Sequence, residues 1–115
     1  MQRAIETLVD SSGDTVVLGV SGELDIATVP EFNRAVIDAL RSVGNGRLVI
    51  DLLQVTFLDS SGLGALVSVK HEHPDLDLAL VIGGGIVRKT VATTGLDQWF
   101  SIANTVEQAV EQATA

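Results

Sequence analysis

The segment that most constrains this chain runs from Arg47 to Gly64. Its first part, RLVIDLL over Arg47 to Leu53, is a mostly apolar run rich in branched side chains and reads as a buried strand. Its second part, Phe57-Leu58-Asp59-Ser60-Ser61-Gly62-Leu63-Gly64, sets two adjacent hydroxyls behind a carboxylate. Leu63, Leu66 and Val67 then recur at helical spacing up to Lys70, which predicts a helix with the Asp-Ser-Ser-Gly segment at its N-terminus. A serine oxygen there can accept a hydrogen bond from an early backbone N–H that has no partner within the helix. A phosphate would meet the same donors and the positive end of the helix dipole. The junction is therefore either a structural cap or a place that can be phosphorylated with the fold intact, and the local pattern leaves both open.

The flanking sequence repeats the alternation of strand and helix. Ala4 to Val9 and Thr15 to Val20 are candidate strands around the turn-forming Asp10-Ser11-Ser12-Gly13-Asp14, with Val16, Leu18 and Val20 sharing one face. Ser21-Gly22-Glu23-Leu24-Asp25 reads as a loop. Thr28 followed by Glu31 fits a capping box, and Pro30 is tolerated in a first turn. Val29, Phe32, Val36, Leu40 and Val43 fall on one helical face before Gly44-Asn45-Gly46 stops the helix. Beyond Lys70, the polar His71-Glu72-His73-Pro74 breaks the second helix. Leu76 to Ile82 reads as a strand, and Gly83-Gly84-Gly85 turns into a short helix with Ile86, Val87 and Val91 that ends near Thr94-Gly95. A short strand within Gln98 to Ala103 and a last helix with Val106, Ala109, Val110 and Ala113 on one face complete the chain. Strands alternating with helices imply an α/β fold with a mainly parallel sheet, begun here by an antiparallel hairpin.

At 115 residues the chain is expected to form one domain over residues 1–115 around a single core. Its hydrophobic content is 46% but its aromatic content only 3%, so that core must be built from Val, Leu, Ile and Ala. The formal net charge of −8 repels a nucleic-acid backbone and suits either a basic patch on another protein or plain solubility. The absence of cysteine excludes disulfides, thiol catalysis and thiolate metal sites. No apolar run approaches the roughly 20 residues that span a bilayer, and no signal-peptide pattern is visible, so a cytoplasmic protein with no membrane partner is expected.

Other patterns that suggest chemistry are weak. His71 and His73 are two apart and lack further soft ligands, so no metal site is expected. Gly83 to Gly85 followed by Lys89-Thr90 resembles a phosphate-binding loop only loosely, because Arg88 stands where glycine is required before the lysine. Glu23, Asp25 and Asp59 could gather at one end of the sheet to hold magnesium or move protons. No histidine or nearby lysine accompanies Ser60 or Ser61 as an activating base, so neither catalysis nor a cofactor is expected. Asp25 is most simply a turn residue.

DLLQVTFLDSSGLGALV, taken with SGELDIATVPEF upstream and Thr94-Gly95-Leu96 downstream, resembles the STAS-domain anti-sigma factor antagonists of bacteria. The resemblance covers nearly the whole chain and rests on separated motifs in the family's order. It implies a STAS-like domain, a mixed, mainly parallel four- or five-stranded sheet with about four helices. It also implies a protein that acts by partner switching: the unphosphorylated antagonist binds an anti-sigma factor that is also a serine kinase, freeing a sigma factor it touches only indirectly. Phosphorylation by that kinase releases the antagonist, and a phosphatase restores it. Residue by residue, the resemblance places the phosphorylated serine at Ser60, with Ser61 as a capping or positioning neighbour. Asp25 and Asp59 match acidic positions beside the partner, and Gly62, Leu63 and Gly64 match the helix start it approaches. The alternatives are a STAS scaffold or regulatory subunit in a stress-signalling or transport complex, with Ser60 only a cap, and a small ligand-binding domain or enzyme using the carboxylates.

Overall fold

A computed structural model describes residues 4–43 and 46–114. The chain runs β1 (Ile5–Ser12), β2 (Thr15–Leu24), α1 (Val29–Val43), β3 (Arg47–Leu58), α2 (Ser60–Glu72), β4 (Asp77–Val81), α3 (Gly85–Thr94), a 3-10 turn (Leu96–Gln98), β5 (Ser101–Ala103) and α4 (Val106–Thr114). The sheet is five-stranded in the order β1-β2-β3-β4-β5. The hairpin partners β1 and β2 are antiparallel and every later pairing is parallel, as the alternation of elements predicts. No helix among the described residues is long and apolar enough to cross a membrane.

Two layers of helix cover the sheet. One face presents Val16, Leu18, Val20, Leu48, Ile50, Leu52, Leu78 and Leu80 to α1, α2 and α3, which contribute Phe32, Val36, Ala65, Leu66, Val69, Val87 and Val91. The opposite face presents Val49, Ala79, Val81 and Ala103 to Ala109 of α4. The strands β3 and β4 are thus buried on both sides, which is why their sequences are apolar almost without interruption. Phe32, wholly buried, is the largest of these side chains. Removing such a ring from water contributes roughly 2–3 kcal/mol, so α1 is held more by this stripe than by its intrinsic propensity. The α1 stripe expected from spacing is the one observed, with Ala39 buried in addition. Gly44 and Asn45 of the expected stop lie outside the described residues, and the helix ends at Val43.

Both strands that lead to the Asp-Ser-Ser-Gly junction are longer than the sequence pattern suggests. Residues 21–24, expected as a loop, continue β2. Gly22 makes this possible: its φ is +103°, and a Cβ there would stand 2.5 Å from the carbonyl oxygen of Ala4. The β3 strand runs five residues past Leu53, to Leu58. Two register shifts against β2 each insert one extra residue on the β3 side, between Asp51 and Gln54 and between Val55 and Phe57. Leu52, Val55 and Leu58 are therefore buried every third residue, where a regular strand would bury every second. The bulged ends bring Leu24 opposite Leu58, so the next residues of each strand leave the sheet side by side.

Candidate functional site

The β2–α1 and β3–α2 connections form one edge of the molecule, at the C-terminal ends of neighbouring parallel strands. Asp59 caps α2: its backbone is extended (φ −105°, ψ −172°) and its Oδ1 accepts a hydrogen bond from Gly62 N at 3.0 Å. The capping oxygen is thus the aspartate's, so the structural role considered for the serines falls to their neighbour. Ser60 becomes the first residue of the helix and is exposed, while Ser61 is half-buried. Aspartate at this place satisfies one orphan N–H and also sets negative charge against the positive helix end.

Gly62 is buried, and this explains how closely the helix approaches β2. A Cβ on Gly62 would lie 2.5 Å from the carbonyl oxygen of Leu24 and 2.7 Å from Leu58 Cδ1. The same carbonyl accepts from Asp59 N at 3.4 Å. Gly62 therefore shapes the surface from beneath. Leu63 is half-buried against the core, and Gly64 faces open space.

Asp25, across from Asp59, is turned inward and only 3% exposed. Its Oδ1 accepts from Ala27 N at 2.9 Å and Thr28 N at 3.2 Å. Thr28 answers in kind: its buried Oγ1 accepts from Asp25 N at 3.0 Å and donates to the Glu23 carbonyl at 2.7 Å. The expected Thr28–Glu31 capping box is replaced by this Asp25–Thr28 pair. The Thr28 N–H is already held by Asp25, and Glu31 sits exposed in the first turn. Pro30 occupies that turn as expected. Sequence reasoning missed the buried tie made by Thr28, whose signal is an aspartate three residues before a threonine at a helix start.

The remaining candidates separate from this edge. Glu23, Asp25 and Asp59 do come to the same end of the sheet, but Asp25 and Asp59 spend carboxylate oxygens on backbone N–H groups. No group of three His, Cys, Asp or Glu residues suited to a metal ion occurs among the described residues. His71 and His73 are exposed at the far end of α2, where the His73 N–H bonds the Val69 carbonyl. Lys70 is committed there too, donating to the carbonyls of Pro74 and Leu76 at 3.2 Å. In the glycine turn before α3, Arg88 braces the loop through the Gly83 and Ile82 carbonyls at 2.7 and 3.2 Å and through Asn104 Oδ1.

The arrangement is a hydrogen-bonded edge with an exposed hydroxyl at a helix N-terminus. That is suited to contact with another protein and to modification by it. Comparison with known proteins identifies the family. The STAS domain family matches residues 6–109. The anti-sigma-F factor antagonist RsfB of Mycobacterium tuberculosis is 30% identical over 105 residues, which are 90% of this chain and 84% of the relative. The crystal structure of an anti-sigma factor antagonist from Mycobacterium paratuberculosis superposes with a TM-score of 0.89 at 31% identity, covering 97% of this chain and 96% of that one. The anti-sigma factor antagonist SpoIIAA in its unphosphorylated form gives a TM-score of 0.72 at 25% identity, over 93% of this chain and 95% of the other. With its fold, its junction and its relatives in agreement, the chain belongs to the STAS-domain family of anti-sigma factor antagonists.

Proposed function

We propose that this protein binds an anti-sigma factor of the serine-kinase type, so that a sigma factor is freed, and that phosphorylation of Ser60 ends the interaction. The observation that carries this reading is the exposed Ser60 at the start of α2, relieved of any capping duty by Asp59. A phosphate on Ser60 adds about −1.5 to −2 charge at neutral pH. At a helix N-terminus that charge is tolerated by the fold. It would nevertheless stand beside Asp59 and near Asp25, raising local repulsion and the cost of drying a close interface. The kinase supplies ATP chemistry and a phosphatase reverses it, so the antagonist itself needs no catalytic group. Residues 59–61 and 63–64 present the partner surface, with Asp25 and Gly62 supporting it from below.

The reading in which Ser60 is a mere cap loses its main support, because the capping bond belongs to Asp59. Incubation of the purified protein with candidate anti-sigma kinases and ATP, followed by mass spectrometry and binding measurements, tests the proposal. Phosphate is expected on Ser60. Ser60→Ala is expected to bind constitutively and Ser60→Asp to bind roughly tenfold or more weakly, since only the second adds charge at the interface. Equal affinities for the two variants would sink the switch and favour a scaffold.

A further inference from the structure

Among the described residues eight large hydrophobic side chains are substantially exposed, and Ile26 is the most exposed of them, at 76%. A single exposed apolar residue is ordinary on a protein surface. Ile26 differs in its place and in how it is held. It sits between two buried posts, Asp25 and Thr28, each only 3% exposed. Around it, Asp25 Oδ1 gathers the N–H groups of Ala27 and Thr28, and Thr28 Oγ1 holds Asp25 N and the Glu23 carbonyl. The backbone there is thus fixed at both ends of a short turn that displays Ile26 and Ala27 outward. Nothing in the turn asks for isoleucine: turn positions favour Gly, Asn, Asp, Ser and Pro, and a branched apolar side chain gains nothing locally by facing water. The turn also adjoins Ser60. Leu24 and Leu58 are register partners, the Leu24 carbonyl receives Asp59 N, and the helix beginning at Ser60 rests on Leu24 through Gly62.

We infer that Ile26 is an apolar anchor, seated in a pocket of the same protein partner whose surface meets Ser60. The inference rests on the partner-binding reading above and identifies what that interface gains besides charge recognition. The occupant is the anti-sigma partner, because the anchor is continuous with the Ser60 edge. A second copy of this chain is the poorer fit, since each copy carries a net charge of −8. A rigid turn loses little freedom when it docks, so burial of one isoleucine acts there with a small ordering cost.

The test uses a purified anti-sigma kinase that binds the wild-type chain, with affinity and dissociation rate measured for Ile26→Ala, Ile26→Val, Leu8→Ala and Ser60→Asp. Ile26→Ala is expected to weaken binding by about tenfold or more, chiefly through faster dissociation. Ile26→Val should retain most of the affinity. Leu8, 74% exposed on β1, is the control for loss of any surface apolar group, and Leu8→Ala should bind like the wild type. Undiminished binding by Ile26→Ala, or equal losses for Ile26→Ala and Leu8→Ala, overturns the anchor whatever Ser60→Asp does. Undiminished binding by Ser60→Asp overturns the switch instead and leaves the anchor to be judged by the Ile26 variants alone.

Discussion

Gly62 shows how one missing side chain positions an exposed one two residues away. The first turn of α2 lies against Leu24, whose carbonyl would stand 2.5 Å from any Cβ at position 62. That carbonyl belongs to a paired strand and also meets Asp59 N, so the backbone has little room to retreat. Gly62→Ala is accordingly expected to cost roughly 1–3 kcal/mol, the usual range for overpacking a filled site. Gly64, two residues on in the same helix, faces open space, and Gly64→Ala should stabilise by about 0.5–1 kcal/mol through helix propensity alone. Urea unfolding of both variants reads the contrast, and opposite signs are the expected result. At this scale the sequence made the junction visible but not the division of labour within it. Asp59 and Ser60 are equally good capping residues by type, and only the tertiary position of the strand end decides which oxygen turns toward Gly62. The inward turn of Asp25 was hidden for the same reason, because it depends on a hydroxyl at Thr28 that local spacing assigned to Glu31.

Among the elements, helices were the easier to read. The stripe of α1 and the αL stop of α3 at Gly95 (φ +74°) follow from spacing and a glycine, both local signals. The strand ends were not legible, since bulges break the alternation on which strand recognition rests: residues 54–58 bury every third position, and Ser21-Gly22 looks like a turn. These are the strand ends that bring residues 25 and 59 together, so the least readable part of the sheet is what builds the site. The same scale explains how α4 is attached. Among the described side chains of this helix only Ala109 is buried, but Arg47, itself 7% exposed, reaches from the start of β3 to bond the Ala109 carbonyl at 3.3 Å and Gln112 Oε1 at 3.4 Å. Its guanidinium also pairs with Asp77 on β4 at 2.8 Å. Arg47→Met keeps much of the length and removes these bonds, so α4 should loosen from the sheet. Amide exchange in residues 106–112 is expected to accelerate by roughly five- to tenfold, equivalent to about 1–1.5 kcal/mol of lost hydrogen bonding. Residues 48–52 of β3, buried on both faces, should change less; equal acceleration throughout would mean that the arginine supports the whole core.

For the whole molecule, the fold class follows from the order of elements and the make-up of the core from the low aromatic content, while the meaning of its charge depends on a partner. The net charge of −8 could serve solubility alone or could guide encounter. The two roles make different kinetic demands. Solubility requires only that the charge exist, whereas steering requires that it face an opposite potential and so be weakened by salt, whose screening length shrinks from about 10 Å at 0.1 M to about 3 Å at 1 M. The proposed edge supports steering through Asp59, whose carboxylate is half-buried beside an exposed Ser60, with the net negative charge of the chain behind it. Between 0.05 and 0.5 M salt, the association rate with the anti-sigma partner should therefore fall by roughly tenfold or more, while the dissociation rate changes far less. Phosphorylation of Ser60 makes the antagonist still more negative, so it would not remove the long-range attraction. Its expected signature is faster dissociation, because the penalty arises only when the phosphate and Asp59 are dried together at close contact. Stopped-flow measurements on the unmodified and phosphorylated forms separate these effects. An association rate indifferent to salt would assign the charge to solubility, and loss of binding through association alone would place the switch in encounter instead of at the contact itself.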